Sequence, residues 1–448
     1  MKKGFCLLLF SFFLWGCEKK EVPLFVFEPG TELKIWTSTE PEFWEALGRE
    51  FVAKINVPNL EVEITSFENE TELQEVFLHS LAVGKGPDVI FTDGNFIAEN
   101  KSKFVPLTND ESLTIEKFKR IFVPASHNLF IDDQNLTGVP IGIDTLALIY
   151  NTEHLEGLEI PETWEEFKEV SKNLTKTDNS LARISRSGSA LGRVDNVRRG
   201  VEVLENLLVQ MVGNLFSEDS LEAVFAQNQG VTSQGKRIQF GLDALNFFLS
   251  FARTPHPNFS WNNLYADNDF EAFLQGKVSM IFGNSRDLAL LYYNITERGG
   301  TISENHVKVS FFPQFEAPEK SSVRQVLADI YALGVARSTD KDILAWEFLK
   351  FAVQKENLRG FFQVTKLPAS RVDLLLEQEA ETEVFARQAK LALGQSLPLE
   401  RSKFQTGLKE MVQSINLGKE TVEEGFTRLQ EEFTRKLQRQ KELETKIK

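Results

Sequence analysis

The sequence predicts an α/β protein with room for two lobes or domains. Three observations carry that prediction. The chain has 448 residues, more than one ordinary core uses. Apolar residues make up 42% and charged residues 26%, a globular composition that excludes wholesale disorder. From residue 32 onward, strand-like and helix-like stretches alternate, which favours parallel strands joined by right-handed crossovers. The charge narrows the partners: 50 Lys plus Arg face 65 Asp plus Glu, a net charge of −15. So acidic a chain has the wrong bulk field for general nucleic-acid or anionic-membrane binding, and no nucleic-acid partner is expected. The two cysteines, Cys6 and Cys17, lie at the extreme N-terminus, leaving no disulfide framework and no Cys-based metal site in the body.

The elements follow in chain order. Met1-Lys2-Lys3 is a basic start, and residues 4–15 are almost wholly apolar. That run is about half of what a membrane span needs and matches a signal-peptide core. Leu14-Trp15-Gly16-Cys17 resembles a bacterial lipobox, which implies cleavage of residues 1–16 and lipid attachment at Cys17. Trp15 departs from the usual small residue there. The mature chain would carry a charge of −17, since residues 1–16 hold two lysines and no acid. Two or more acyl chains would hold it firmly, whereas one binds marginally. Residues 17–31 then form a polar tether. Leu33-Lys34-Ile35-Trp36 reads as a strand. Thr39 with Glu42 reads as a capping box opening a helix that carries Phe43, Leu47 and Phe51. Leu60 to Ile64 alternates as a strand, 71–83 is helical, and Asp88-Val89-Ile90-Phe91 is a buried strand. Ligands on such sheets sit beyond the carboxyl ends of the strands, so the loops after Trp36 and Phe91 are the first candidates.

Further along, Asp132-Asp133-Gln134-Asn135 reads as a hairpin turn, because it lacks the Gly and closing Glu of a calcium loop. Residues 138–150 are strand-rich, and Thr163 with Glu166 forms a second capping box. Buried helices are expected over 201–212, 241–252 and 343–353, and strands over 307–312 and 330–335. A helix passes through Gly276 into an apolar strand ending near Phe282. Residues 420–448 carry Val422, Phe426, Leu429, Phe433 and Leu437 at helical steps, a docked amphipathic helix.

Signatures of catalysis are weak. Gly230-Val231-Thr232-Ser233-Gln234-Gly235-Lys236 fits G-x4-G-K, but Arg237 follows where a magnesium-holding Ser or Thr belongs and no apolar strand precedes it. The five histidines, at 79, 127, 154, 256 and 306, form no metal-binding pair. No Gly-x-Ser-x-Gly elbow occurs, and carboxylates are too abundant for a glycosidase dyad to stand out. Neither enzyme activity, metal nor cofactor is expected. One basic cluster spans Arg183, Arg186, Arg193, Arg198 and Arg199, either a solvated loop or a polar loop reaching into a cleft. Trp164 and Trp346 lie on apolar helical stripes, as core residues do, and Trp44 fits either environment. Trp36 and Trp261 are candidates for stacking on a ligand.

The order of motifs is similar to that of the bacterial extracellular solute-binding proteins of family 1, the maltose-binding-protein group. The pieces are Ile35-Trp36 entering a helix; Gly86-Pro87-Asp88-Val89 followed by Phe104-Val105-Pro106-Leu107; and Gly138-Val139-Pro140-Ile141-Gly142-Ile143-Asp144 followed by Leu148-Ile149-Tyr150-Asn151. Pro161-Glu162-Thr163-Trp164, the stretch from Phe273 to Gly283, Ala345 to Phe351 and Leu367-Pro368-Ala369 complete the series. The resemblance implies two Rossmann-like lobes with a ligand cleft between them, a Venus-flytrap of the type II periplasmic-binding kind. Carried onto this chain, the lobes are 32–140 plus 286–335 and 141–285 plus 336–448. Gly142, Gly283 and Gly334 would ease the hinge torsions.

The resemblance also implies a membrane-anchored, extracytoplasmic, monomeric receptor that hands its solute to ABC permease subunits. Its ligand contacts would come from Thr37, Ser38, Thr39, Thr92, Asp93, Phe96, Asp144, Asn284, Ser285, Arg286, Asp329 and Tyr331, beside the stacking candidates Trp36 and Trp261 read from the residues themselves. Such hydroxyls, carboxylates and amides suit sugar hydroxyls. The chain departs from the family at Arg286, near where a Trp is common, and at Leu327-Ala328, where paired glycines are common; Arg286 and the Arg183–Arg199 loop leave room for a sugar acid or sugar phosphate. The alternative is a surface lipoprotein of the same fold, a sensor or adhesin, that transports nothing.

Overall fold

The structure, a computed structural model, describes residues 30–447 except 56, 178–182, 218, 228, 232–236, 264–267, 300, 316–324, 376, 378–381 and 395–400. The expected signal peptide, Cys17, nearly all of the tether and most of the G-x4-G-K stretch lie outside the described residues.

Ten strands build two five-stranded sheets. They are β1 (Glu32–Thr37), β2 (Glu61–Ser66), β3 (Val89–Asp93), β4 (Val139–Thr145) and β5 (Ala147–Asn151), then β6 (Lys176–Thr177), β7 (Ile184–Ser189), β8 (Val278–Gly283), β9 (Val307–Ser310) and β10 (Ala328–Val335). The first sheet has the order β2-β1-β3-β10-β4 and the second β9-β5-β8-β7-β6. As the alternation of elements predicts, β1 runs parallel to β2 and β3. The fourth strand, β10, is antiparallel to β3 and β4, because the chain re-enters this sheet from the other lobe. The hairpin at 132–135 forms, with Asp133 at φ 52.

Sheet membership departs from the expected division of the chain in three stretches, the first being residues 141–145, assigned to the second lobe but part of β4 in the first sheet. Strand β9, assigned by sequence to the first lobe, pairs with β5 in the second sheet. The helices Asp342–Ala352 and Lys355–Thr365, assigned to the second lobe, pack on β10 and β4 of the first. The reason is geometric. After β8 the chain completes the antiparallel edge of its own sheet before it returns, and an apolar helix stays with the sheet that can bury it.

Packing explains the ends of the helices. Thr163 accepts from the Glu166 amide at 3.2 Å while the Glu166 carboxylate accepts from the Thr163 amide at 2.9 Å, so this capping box forms. The box at Thr39 does not. The helix Pro41–Ile55 starts one residue later, with Glu40 at φ 52 and its carbonyl accepting from Phe43 and Trp44. A residue before proline is pushed out of the helical region, so Thr39 instead donates its amide to Thr37 Oγ1 at 3.1 Å. Trp44, Trp164 and Trp346 are all core. Around Trp164 stand the rings of Phe167, Phe247, Phe282 and Phe312, with centroids 5.2–5.6 Å away.

The glycines expected at the hinge are closely packed in this structure. A Cβ on Gly142 would lie 2.3 Å from Leu367 Cδ2, and one on Gly334 would lie 2.7 Å from Phe104. Neither residue adopts positive φ. Among the described residues, no helix is long and apolar enough to cross a membrane.

Candidate functional site

The topology brings most of the sequence-predicted residues to one edge of the first sheet. β1, β3 and β4 end there, and antiparallel β10 begins there. Register places Asp329 opposite Asp144 and Tyr331 opposite Asp93. The second lobe contributes the turn after β8, where Asn284, Ser285 and Arg286 open the helix Ser285–Arg298.

Three contacts join the two sides. Ser285 donates its hydroxyl to Asp144 at 2.8 Å and its amide at 3.1 Å, and Thr145 adds its amide at 2.9 Å. Burial pushes the Asp144 carboxyl up to about 6, even though the Ser285 bonds and Arg286 favour its charged form. The Arg286 guanidinium lies over the Tyr331 ring, 4.1 Å from its centroid. Burial raises the Tyr331 phenol well above its ordinary value. Third, Asp329 accepts from Arg401 at 2.5 Å. Asp329, Tyr331, Asp144, Ser285 and Arg286 are therefore brought together, in pairs with one another or with Arg401.

A second group gathers around Glu70, which the sequence reading missed. Its carboxylate accepts from Ser38 Oγ at 2.7 Å, the Asp93 amide at 3.0 Å, Gln74 at 2.9 Å and the Thr92 hydroxyl. Asp93 caps the helix Gly94–Glu99 by accepting from the Asn95 amide at 2.7 Å. Burial and neighbouring carboxylates push Asp93 up to about 6 against the pull of Arg401. A cavity of about 320 Å³ opens here, lined by Glu70, Gln74, Asp93, Asn95, Phe96 and Arg401 among others. Larger cavities, of about 450 and 520 Å³, hold none of the expected ligand contacts, although Arg198 of the basic cluster lines the first.

Other residues fall elsewhere. Trp36 is half-buried and packs on Phe67, ring centroids 5.0 Å apart. Thr37 is fully buried and closes a local turn with Thr39. Trp261, a stacking candidate, is fully buried in the apolar cluster of the second sheet, its indole N–H donated to Asn196 at 3.0 Å. Its ring has no open face, because a polar flanking sequence does not reveal what folds over it. Asn284 spends its side chain capping Asp287 at 3.0 Å, half of a capping box legible in Asn-x-x-Asp. The basic cluster splits. Arg186 lies on β7, Arg193 pairs with Asp195, and Arg199 donates to Asp287 at 2.6 Å.

The other residue missed is Arg401, at the start of the helix Arg401–Asn416. It is 9% exposed. Its guanidinium also meets both oxygens of Glu205, at 3.0 and 3.1 Å, and its amide donates to Glu99 at 3.0 Å. Burial opposes its charge, but Glu205 and Asp329 outweigh that and hold its pKa well above the ordinary value. A signal for Glu205 existed. It is a lone acid in the apolar run Leu204 to Val209 and is fully buried, a position that demands a cationic partner. Arg401 carried no such mark in its charged surroundings. Among the described residues no cluster could hold a metal ion.

Comparison with known proteins agrees with this architecture. The sugar-binding protein MalE of the phytopathogen Xanthomonas citri matches with a TM-score of 0.74 at 16% identity, over 92% of this chain and 99% of that one. The GacH receptor of Streptomyces glaucescens, known unliganded and with acarbose, matches at 0.69 and 16% identity over 92% and 99%. A solute-binding protein of an ABC transporter from Thermotoga lettingae, bound with α-D-tagatose, matches at 0.66 and 20% identity over 91% and 100%. At these identities the likeness is one of fold, the two-lobed type II periplasmic sugar-binding architecture. No curated protein matches the chain. The model of the bacterial extracellular solute-binding proteins matches residues 47–389, more than half of the chain, and the protein belongs to that family.

Proposed function

We propose that this protein is the extracytoplasmic receptor of an ABC importer. It is anchored by lipid on Cys17, closes two lobes on a sugar or sugar-like solute, and delivers it to a permease without catalysing a reaction. One observation supports this reading above the others. Carboxylates, hydroxyls, a phenol and a guanidinium from both lobes converge on one edge of the first sheet. Those groups accept and donate at fixed angles, as solute hydroxyls require. The ligands of two similar structures, α-D-tagatose and acarbose, point the same way. The solute holds the closed form only by as much as it binds that form better than the open one. Arg286 leaves an anionic sugar derivative within the class. The alternative, a surface lipoprotein that transports nothing, draws support from the same residues being paired with one another.

A thermal-shift screen of the chain from Glu18 onward separates the two. The panel holds mono- and oligosaccharides, sugar acids, sugar phosphates, amino acids and polyamines. A ligand at 100 times its Kd adds about 2.7 kcal/mol. A sugar-class hit lost on Asp144→Asn or Arg286→Gln supports the receptor. A cooperative melt that no compound moves supports the alternative.

A further inference from the structure

We propose that Arg401 is a clasp built into the chain, holding the two lobes together when no solute is bound. Its anchorage is in the second lobe. The helix Arg401–Asn416 packs on Gly200–Val212 and Val422–Ile447, with Phe404 against Phe216, Phe225 and Phe433. From Gly200–Val212, the fully buried Glu205 takes one edge of the guanidinium, and Gln405 adds a bond to Glu205 at 2.8 Å. The remaining contacts reach the first lobe. Nη1 donates to Asp329 on β10, and the Arg401 amide donates to Glu99 at the end of Gly94–Glu99. One residue is thus bonded on both sides of the cleft.

The two sets of bonds behave differently if the lobes part. The Glu205 pair travels with the second lobe and survives. The Asp329 and Glu99 contacts exist only in the closed form, so they favour it whatever the solute. The inference rests on the two-lobe hinge reading but not on the identity or existence of a solute.

Small-angle scattering of the solute-free chain from Glu18 onward tests it. A compact chain of this length has a radius of gyration of about 22 Å. The expected result is a wild type near that value and a larger radius for Asp329→Ala combined with Glu99→Ala, which removes both first-lobe acceptors of Arg401 but leaves the Arg401–Glu205 pair that supports folding. Arg401→Gln added to that pair should open the protein no further, since no cross-lobe bond of Arg401 is left to lose. A folded, cooperatively melting double variant with the wild-type radius overturns the clasp. So does a wild type already as extended as the variant. Because no solute is present, a silent ligand screen leaves this result intact.

Discussion

Two polar networks flank the cleft, one centred on the Glu70 carboxylate and one on the Arg401 guanidinium, and they differ in what they tie together. Glu70 collects neutral donors from β1, β3 and its own helix, all within the first lobe. Arg401 collects charged partners from both lobes. The first network, built within one lobe, would keep its bonds if the lobes moved apart. On the clasp proposal, the second would lose half of its bonds on opening. Position relative to the hinge, rather than strength, decides which role a polar cluster plays.

The largest expected effect breaks the second network at its core. Arg401→Ala leaves Glu205 buried without a counter-charge, a loss of about 3–5 kcal/mol by the usual cost of orphaning a buried ion. Urea unfolding measures it, and Arg401→Gln with Glu205→Gln should recover most of the loss. A cost under about 1 kcal/mol for Arg401→Ala would mean the pair is hydrated rather than buried.

A smaller effect is expected in the first network. Glu70→Ala leaves the buried Thr92 hydroxyl and the Asp93 amide short of an acceptor, costing about 1–3 kcal/mol. Because all partners lie in one lobe, the melt should fall while the solute-free radius of gyration stays at the wild-type value. A changed radius would join the two networks into one.

The smallest effect concerns pH. Asp144 and Asp93 both stand at about 6 in the folded protein, above the ordinary carboxylate range. Between about pH 4 and 6 the folded state therefore binds more protons than the unfolded one, and these groups lower stability as pH rises through that window. Asp144→Asn removes one of them. Its stability relative to wild type should be greater at pH 7 than at pH 4.5 in paired unfolding curves. An equal difference at both pH values would place the Asp144 carboxyl in an ordinary aqueous setting.

Much of the architecture was legible before the structure. The alternation through β1 to β3, the capping box at Thr163, the strand into Gly283 and the terminal helix all follow from local chemistry and periodicity. Where reading failed, a distant contact or a neighbouring residue intervened. Pro41 displaced the cap from Thr39. A polar flank hid the burial of Trp261. The glycine at Gly142 serves Leu367, more than two hundred residues away. Polar residues at strand ends could be located because strand ends are visible in sequence. Whether each faces solute, caps a helix or pairs across the cleft was not.

By itself the sequence determined the α/β class, the strand ends that carry polar side chains and the apolar faces that bury each helix, because these depend on residues within a few positions of one another. Only the tertiary structure decided that Asp144 meets Ser285, that Arg286 covers Tyr331, and that Arg401 joins Glu205 to Asp329. Those pairs are separated by 45 to 196 positions in the chain, and a charge records nothing of its partner until the fold removes the water between them.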